Sequence, residues 1–333
     1  MGNRVVQKCP SRRFGVEIEV NAFDGRNRPI NHEYGALPEG IGAIAEVVQR
    51  ACRESVRVQK WGNNHNSECW VLKPDSSCGI EICTPVLKGM RGARSLCQVV
   101  KALGSDPRIS SDARCSFHVH VDVHDMTPRM VANILTWWIK CEYTIMRMVP
   151  LPRNRNRYCQ MMSLSDVFRN MSDPMYEPSE IISLSGQHKY LSANTYHMHN
   201  SKRQTVEFRI MDSSACLNWR DAKNYVAFLL HFVERMSTLH VPEYSGSPMT
   251  GYAWVDLGDA MEAMGLSSPD GLSDGLVEMR GWMLGRMSGN KACRDGGVFG
   301  GSLRSEDGQI LSEYCSSAPL QTSLEFCEDK FSP

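Results

Sequence analysis

The stretch Phe14-Gly15-Val16-Glu17-Ile18-Glu19-Val20 alternates apolar side chains with acidic or small ones. Successive side chains of a β-strand point to opposite faces of the sheet, so this stretch predicts a strand with one apolar face. Glu17 and Glu19 share the other face. Three further stretches of the chain repeat this pattern.

These three stretches are 79–86, 116–123 and 205–211, and each also has one apolar face. The opposite faces carry Glu81 in the first, His118, His120 and Asp122 in the second, and Glu207 and Arg209 in the third. If the four strands share a sheet, helices cover its apolar side and the ionisable side chains converge on the other. A solvated antiparallel face is the alternative interpretation. Such a face usually mixes Lys, Thr, Ser and Gln, whereas these positions carry no lysine.

The rest of the chain as far as about residue 240 alternates between strand and helix patterns. Two more strands are predicted at 69–73 and around 188–199. Apolar stripes predict helices at 41–52 and 90–103, and helix-start signals stand at Thr127–Pro128 and at Asn218 with Asp221. The alternation predicts an α+β fold.

The amino-acid composition changes after Pro242, where Gly and Ser become frequent. Only two short helical patterns follow, at 257–264 and 276–287. We therefore predict a catalytic domain over residues 1–244 and a C-terminal appendage of short helices and loops over 245–333.

Composition excludes several classes of protein. The 333 residues include 37 Lys and Arg and 37 Asp and Glu, which argues against bulk electrostatic binding to nucleic acid or an acidic membrane. The 13 cysteines are odd in number and form no CxxC pair, which favours free thiols in a reducing compartment. No apolar run is long enough for a membrane span, and residues 1–15 lack the apolar centre of a signal peptide. These features predict a soluble, cytoplasmic protein.

Five carboxylates on one sheet face repel one another, and some would take up protons unless cations neutralised them. Carboxylate oxygens together with an imidazole suit Mg²⁺ or Mn²⁺ better than zinc. A zinc site of Cys115, His118 and His120 is an alternative. However, Cys115 has the wrong parity to share a strand face with the two histidines.

The same stretches resemble the motifs of a known family. Gly15-Val16-Glu17-Ile18-Glu19 resembles the opening G-x-E-x-E strand of carboxylate–amine ligases, and His118-Val119-His120 is similar to their H-x-H strand. Asp75 followed by Glu81-Ile82-Cys83-Thr84-Pro85 resembles their second motif, and Glu207-Phe208-Arg209 resembles their terminal E-x-R strand. Four motifs in the expected order point to the amidoligase family, within the glutamine synthetase and glutamate–cysteine ligase superfamily. One departure is Ser116, where these families commonly have glycine.

The resemblance implies a curved, mainly antiparallel sheet with helices on its convex face and with nucleotide and metals in its concave face. It implies an ADP-forming ligase that joins a carboxylate to an amine through an acyl phosphate, with ATP and Mg²⁺ (or Mn²⁺) as cofactors. The implied metal ligands are Glu17, His118 and Glu207 for an ion on the ATP phosphates, and Glu19 and Glu81 for a second ion. Arg209 would neutralise the transferred phosphoryl group.

The sequence gives less specific evidence for several further candidate site residues. By motif position, His120 would contact substrate or phosphate, and Asp75 would support Glu81 or deprotonate the amine. Arg155 lies in the arginine-rich loop 152–158, which either clamps ATP phosphates or is a solvated basic loop. Lys189 and Asn194 precede the last motif strand, where ligases of this type often contact substrate or nucleotide. His197 and His199 are interpreted as ordinary partly buried or surface residues.

Three other functions compete with a ligase. They are a phosphotransferase of the same superfamily, a metal-dependent hydrolase that needs no ATP, and a catalytically idle nucleotide- or metal-binding module. The presence of every motif carboxylate and of Arg209 argues against the idle module.

Candidate substrates are glutamate or another amino acid as the carboxylate, and an amino acid, a peptide, a cell-wall precursor or a modified nucleobase as the amine. The neutral charge disfavours the nucleobase, and the oligomeric state stays open.

Overall fold

The computed structural model describes residues 11–30, 40–60, 68–150, 153, 156–164, 177–200, 203–240, 255 and 257–289. In these ranges the chain forms one open, mostly antiparallel sheet together with helices, which confirms the predicted α+β class. The strands are β1 (Arg13–Ala22), β2 (Val56–Val58), β3 (Trp70–Pro74), β4 (Ile80–Cys83), β5 (Leu87–Lys88), β6 (Ile109–Ser110), β7 (Phe117–Asp122), β8 (Ala193–Asn194) and β9 (Thr205–Met211).

The sheet order is β2-β3-β4-β1-β7-β9-β8, and the short strands β5 and β6 pair with the two ends of β1. Only the pairing of β2 with β3 is parallel among the described strands. The four strands that carry the sequence motifs are therefore neighbours, in the order β4-β1-β7-β9. This arrangement places their ionisable faces side by side.

The described ranges contain nine α-helices, six of which coincide with a predicted helical pattern or start signal. They are α1 (Ile41–Cys52), α2 (Gly89–Ser105), α3 (Pro128–Met146), α4 (Pro178–Gln187), α5 (Tyr196–Asn200), α6 (Ser214–Leu217), α7 (Trp219–Thr238), α8 (Leu257–Ala263) and α9 (Asp274–Gly289), with a 3₁₀ turn at Met162–Leu164. Thr127 caps α3, since its Oγ1 accepts a hydrogen bond from the backbone N–H of Met130 at 3.3 Å. Asn218 likewise caps α7 through a 3.0 Å bond from the N–H of Arg220.

The apolar faces of the strands and the apolar stripes of the helices share one buried core. Trp138 of α3 packs on Phe208 of β9 with ring centroids 4.7 Å apart, and Tyr225 of α7 meets Phe117 of β7 edge-on at 6.4 Å. Burial of apolar surface contributes about 25 cal/mol per Å². This contribution decides which strand face turns toward the helices and leaves the ionisable face on the other side.

The predicted strand around residues 188–199 is wrong. The structure forms only the two-residue strand β8 there, followed by helix α5. The reason lies in Asn194, whose Oδ1 accepts a hydrogen bond from the backbone N–H of Tyr196 at 3.0 Å. Such a local side-chain bond competes with the sheet ladder and favours a turn into a helix.

The two C-terminal helices, α8 and α9, match the predicted helical patterns and contribute buried residues to the same core. Asp221 of α7 does not complete a capping box. It accepts a 2.7 Å hydrogen bond from the indole N–H of Trp282 in α9 instead. The ion pair of Lys223 with Glu278, at 2.6 Å, adds a second link. The predicted domain boundary at 244 lies outside the described residues and stays a prediction.

Of the helices in the described ranges, none combines the length and the apolar character that crossing a membrane requires. The nine cysteines in these ranges are all free thiols and all buried.

Candidate active site

Antiparallel pairing places the predicted site residues directly opposite one another on neighbouring strands. The register pairs Glu17 with His118, Glu19 with Glu81, and His120 with Glu207. Directly opposite side chains have Cβ atoms about 4.5–5.5 Å apart, so they interact across the strands. The structure therefore brings the acidic and imidazole side chains of the four motifs onto one continuous patch of the sheet.

Glu17, His118 and Glu207 form a compact cluster, which we call the Glu17 triad. His118 Nδ1 lies 3.3 Å from Glu17 Oε2 and 3.8 Å from Glu207 Oε1. The side chains of His118 and Glu207 are almost fully buried. One ligand atom from each residue lies within 4.8 Å of the others, which is close enough for a single metal ion to join them.

Ser116 orients the imidazole of the Glu17 triad. Its Oγ lies 2.5 Å from Glu19 Oε2 and 2.8 Å from His118 Nε2. When Glu19 is ionised, it accepts the single hydrogen of the hydroxyl, and the second bond then requires the Nε2–H of His118 to donate. The lone pair of His118 Nδ1 then faces Glu17 and Glu207, as a metal ligand requires. Ser116 stands where these families commonly have glycine, and its side chain thus makes two defined hydrogen bonds.

Glu81 has a partner that the sequence patterns did not reveal. Lys73 of β3 lies opposite Glu81 in the register, and its Nζ is 3.0 Å from Glu81 Oε1. The Cys83 thiol donates to the same oxygen at 3.0 Å. Glu19 and Glu81 are cross-strand neighbours, but each has its own partner, Ser116 for Glu19 and Lys73 for Glu81. Extending the parity rule to strand 69–73 would have identified Lys73.

Arg209 joins the cluster through Glu207. Its Nη1 lies 2.5 Å from Glu207 Oε1, and its Nε donates to the backbone oxygen of Tyr158 at 3.2 Å. The buried Arg153 donates to the backbone oxygens of Arg209 and Ile210, both in β9. Arg155 lies outside the described residues, and its predicted phosphate contact stays a prediction.

The second oxygen of Glu207 faces a different set of residues. Asn194 Nδ2 donates to Glu207 Oε2 at 3.2 Å, and His197 Nε2 lies 3.6 Å from the same oxygen. The ring of His197 also lies 5.0 Å from the ring of His120, measured between centroids. His197 was interpreted as an ordinary residue because its stretch read as a strand, whereas helix α5 turns it toward the patch.

Two of the predicted residues lie at the margin. Lys189 is exposed, its ammonium is 4.9 Å from the centroid of the Tyr190 ring, and its backbone oxygen accepts from Asn194. Asp75 lies in the turn between β3 and β4, where its Oδ1 accepts from the backbone N–H groups of Ser77 and Cys78. The described ionic partner of Glu81 is Lys73, and the predicted support of Glu81 by Asp75 stays a prediction.

The threonine of the second motif has a structural role. Thr84 Oγ1 accepts a 2.9 Å hydrogen bond from the backbone N–H of Val16, beyond the point where β4 ends. Pro85 cannot donate to a sheet ladder, so the chain leaves β1 here and pairs again only at β5. The motif thereby fixes β4 against β1 and sets the register of Glu81 opposite Glu19.

The carboxylates divide into two protonation classes. Burial alone would raise the pKa of Glu17, but the charge of His120 and the close contacts with the two imidazoles hold that pKa well below its usual range. Arg209 and His120 likewise outweigh burial and lower the pKa of Glu207. Burial raises the pKa of Glu19 to about 8, with the charges of Asp75 and Glu81 adding to it.

Burial and neighbouring charges also shift the pKa values of Glu81, His118 and His120. Burial and the charge of Glu17 raise the pKa of Glu81. Burial and the charge of Arg209 lower the pKa of His118 to about 4, so this imidazole is neutral at pH 7. Burial would also lower the pKa of His120, but the charge of Glu17 outweighs it and raises that pKa. Two carboxylates that favour protons, Glu19 and Glu81, therefore lie beside two that stay charged, Glu17 and Glu207.

A cavity of about 410 Å³ opens beside Glu17 and His120. The segment Cys83-Thr84-Pro85-Val86 forms part of its wall, and Arg13 and Arg203 also line it. Pockets that are mainly apolar with a few converging charged groups commonly bind small molecules. The cluster is therefore accessible from a space of suitable size for a substrate.

A family model described as "Putative amidoligase enzyme" matches residues 10–233, which is more than half of the chain. The chain belongs to this amidoligase family. The match covers all four motif strands and ends before α8. No curated protein matches the sequence. Membership in the family indicates an enzyme that forms amide bonds.

Proposed function

We propose that this amidoligase uses ATP and Mg²⁺ (or Mn²⁺) to join a carboxylate to an amine, with release of ADP and phosphate. The observation that carries the proposal is the convergence of Glu17, His118, Glu207 and Arg209 on one buried sheet face. Phosphoryl transfer relies on cations and a positioned arginine rather than on a covalent nucleophile of the enzyme. These four side chains supply both requirements.

The Glu17 triad fits a hard divalent cation, because it offers two carboxylates and one neutral imidazole. A bound Mg²⁺ neutralises the charge of the ATP phosphates. Glu19 and Glu81 are the proposed ligands of a second ion, nearer the carboxylate substrate. Lys73 also supplies positive charge to Glu81. Arg209 is proposed to face the transferred phosphoryl group, and His120 to contact phosphate or substrate.

The proposed reaction has two steps. An oxygen of the substrate carboxylate attacks the γ-phosphorus of ATP, the bond to ADP breaks, and an acyl phosphate forms. The nitrogen of the amine then attacks the acyl carbon, the carbon–oxygen bond breaks, and phosphate leaves. The amine loses a proton in this step, and Asp75 at the margin of the cluster is the proposed acceptor. Lys189, Asn194 and Arg155 are proposed nucleotide contacts.

The cavity beside Glu17 and His120 is the proposed substrate site. Arg203 in its lining is proposed to offer positive charge to a carboxylate, whereas Arg13 is already paired with Asp122 at 2.7 Å. This charge is consistent with glutamate or another amino acid as the activated substrate. The amine is proposed to be an amino acid or peptide. The glutamine synthetase type of sheet, with helices on its convex face, belongs to the same proposal.

The decisive experiment incubates the full chain with ATP, Mg²⁺ and pooled carboxylates and amines. A ligase releases ADP only when both substrates are present, and mass spectrometry detects a product that is one water lighter than its two parents combined. ADP release with one acceptor alone would indicate a phosphotransferase. Hydrolysis without nucleotide would indicate a metal-dependent hydrolase, and binding without turnover would indicate an idle module. Each of these three outcomes contradicts the proposal.

A further inference from the structure

A second group of potential metal ligands lies beside the Glu17 triad and differs from it in chemistry. His120, His197 and Glu207, which we call the His197 triad, present ligand atoms that all lie within 4.8 Å of one another. The Glu17 triad has one imidazole and two carboxylates, whereas the His197 triad has two imidazoles and one carboxylate. His197 belongs to none of the four sequence motifs.

His120 is an unusual buried imidazole. It is 7 % exposed, and neither of its ring nitrogens makes a hydrogen bond of acceptable geometry. Its Nε2 lies 3.3 Å from Glu17 Oε1, so an ionic contact is its main compensation. An unsatisfied buried polar group destabilises the folded state. A ligand that accepts the lone pair of one ring nitrogen would remove this destabilisation.

The two carboxylate oxygens of Glu207 face different triads. Oε1 faces Arg209 and His118, while Oε2 faces Asn194 and lies 3.6 Å from His197 Nε2. Ligand atoms around a four-coordinate ion with bonds of about 2.0–2.2 Å lie about 3.3–3.6 Å apart. The pair of His197 and Glu207 already has this spacing. A small rotation of the imidazole of His120 would complete the set.

We propose that His120, His197 and Glu207 bind a zinc-type transition-metal ion, separate from the ion of the Glu17 triad, with Glu207 bridging the two. Imidazole nitrogen prefers zinc and its neighbours in the first transition row, whereas magnesium prefers oxygen. Two imidazoles and one carboxylate, with a fourth position open to water or substrate, is a ligand set that zinc adopts in enzymes. This site does not depend on the proposed ligase reaction, because its ligands converge without nucleotide.

The test measures Zn²⁺ binding to the full, nucleotide-free chain by titration calorimetry. The variant His197→Gln removes one ligand, and His199→Gln changes the same residue type on the exposed side of helix α5. Loss of partners one shell further out already weakens metal binding about 10–100-fold. We therefore expect His197→Gln to weaken Zn²⁺ binding by about 100-fold or more, and His199→Gln to leave it unchanged. Equal affinities in all three proteins, or no zinc binding by the wild type, would overturn the proposal.

A second measurement counts the imidazole ligands directly. Pulsed electron paramagnetic resonance of the wild-type chain with one equivalent of Cu²⁺, a spectroscopic substitute for zinc, counts the coordinated imidazoles. The His197 triad predicts two, whereas the Glu17 triad predicts one. A count of one, or loss of zinc in His118→Gln but not in His197→Gln, refutes the His197 triad. Neither measurement uses ATP turnover, so failure of this proposal and failure of the proposed function are distinguishable.

Discussion

Glu17 and His118 lie directly opposite each other on neighbouring antiparallel strands, although 101 residues separate them along the chain. Glu17 Oε2 and His118 Nδ1 are 3.3 Å apart. When Nε2 of His118 donates to Ser116, no proton stands between these two atoms, and both are acceptors. Two facing acceptors in a buried site repel each other, and a cation between them removes the repulsion.

The Glu17 triad predicts that loss of either carboxylate stops ATP turnover without unfolding the chain. We expect Glu17→Gln and Glu207→Gln each to abolish ADP release, because the remaining ligands no longer neutralise the phosphates. The amide is nearly the same size, but Glu17→Gln loses the attraction to His120 and Glu207→Gln loses the attraction to Arg209, so the melting temperature should fall. Thermal melting must therefore confirm that each variant is folded. Glu46→Gln, at an exposed position of α1, is the matched control. Full activity in either site variant would refute the assigned ligand role.

Ser116 predicts a specific effect on metal affinity. Ser116→Ala removes the hydrogen bonds to Glu19 and to His118 Nε2, so the imidazole loses its fixed orientation. We expect the Mg²⁺ concentration for half-maximal ATP turnover to rise about 10–100-fold. Ser110→Ala, at an exposed position of β6, should leave it unchanged. Identical Mg²⁺ dependence in the two variants would mean that Ser116 has no such role.

Glu19 predicts how the stability of the metal-free chain depends on pH. Its pKa is raised from 4.5 to about 8 in the folded state, so the folded chain holds a proton that the unfolded chain releases. Stability is then lost as pH rises from about 4.5 to 8, by roughly 1.4 kcal/mol per pH unit at most. Glu19→Gln removes this loss. Its unfolding free energy relative to wild type should therefore increase across this window and level off above it.

Denaturant titrations at a series of pH values measure this difference. Subtracting the wild-type curve removes the opposite contribution of His118, whose pKa is lowered to about 4 and which therefore adds stability as pH rises toward 6.5. A difference that stays constant with pH would show that Glu19 titrates normally in the folded chain.

Arg209 predicts an effect on the chemical step. Arg209→Gln removes the positive charge proposed to stabilise the transferred phosphoryl group, so kcat for ADP release should fall about 100-fold or more. The matched control is Arg50→Gln, an exposed arginine of α1 that bonds only the backbone oxygen of Glu46 among the described contacts. Because the substitution also leaves Glu207 without its arginine, thermal melting must confirm that the variant is folded. Unchanged kcat in a folded variant contradicts the role.

The sequence predicted the strands of the candidate site better than the elements around it. Alternation identified β1, β4, β7 and β9, because each must bury one face against the helices. It missed β2, β5 and β6, since two or three residues are too few to show a period. It misassigned the segment with His197, because helix α5 starts there with a hydrogen bond that the Tyr196 backbone N–H donates to Asn194 Oδ1, which side-chain periodicity does not reveal.

By itself, the sequence determined which side chains share the sheet face that points away from the core. Glu17, Glu81, His118 and Glu207 each alternate with apolar residues, and burial of those apolar residues fixes the face on which the ionisable ones lie. Only the tertiary structure decided their partners. Strand order and register place Lys73 against Glu81, and helix α5 turns His197 toward Glu207. The reason is that a strand's own pattern sets the direction of its side chains, whereas pairing between strands distant in sequence sets the distances between them.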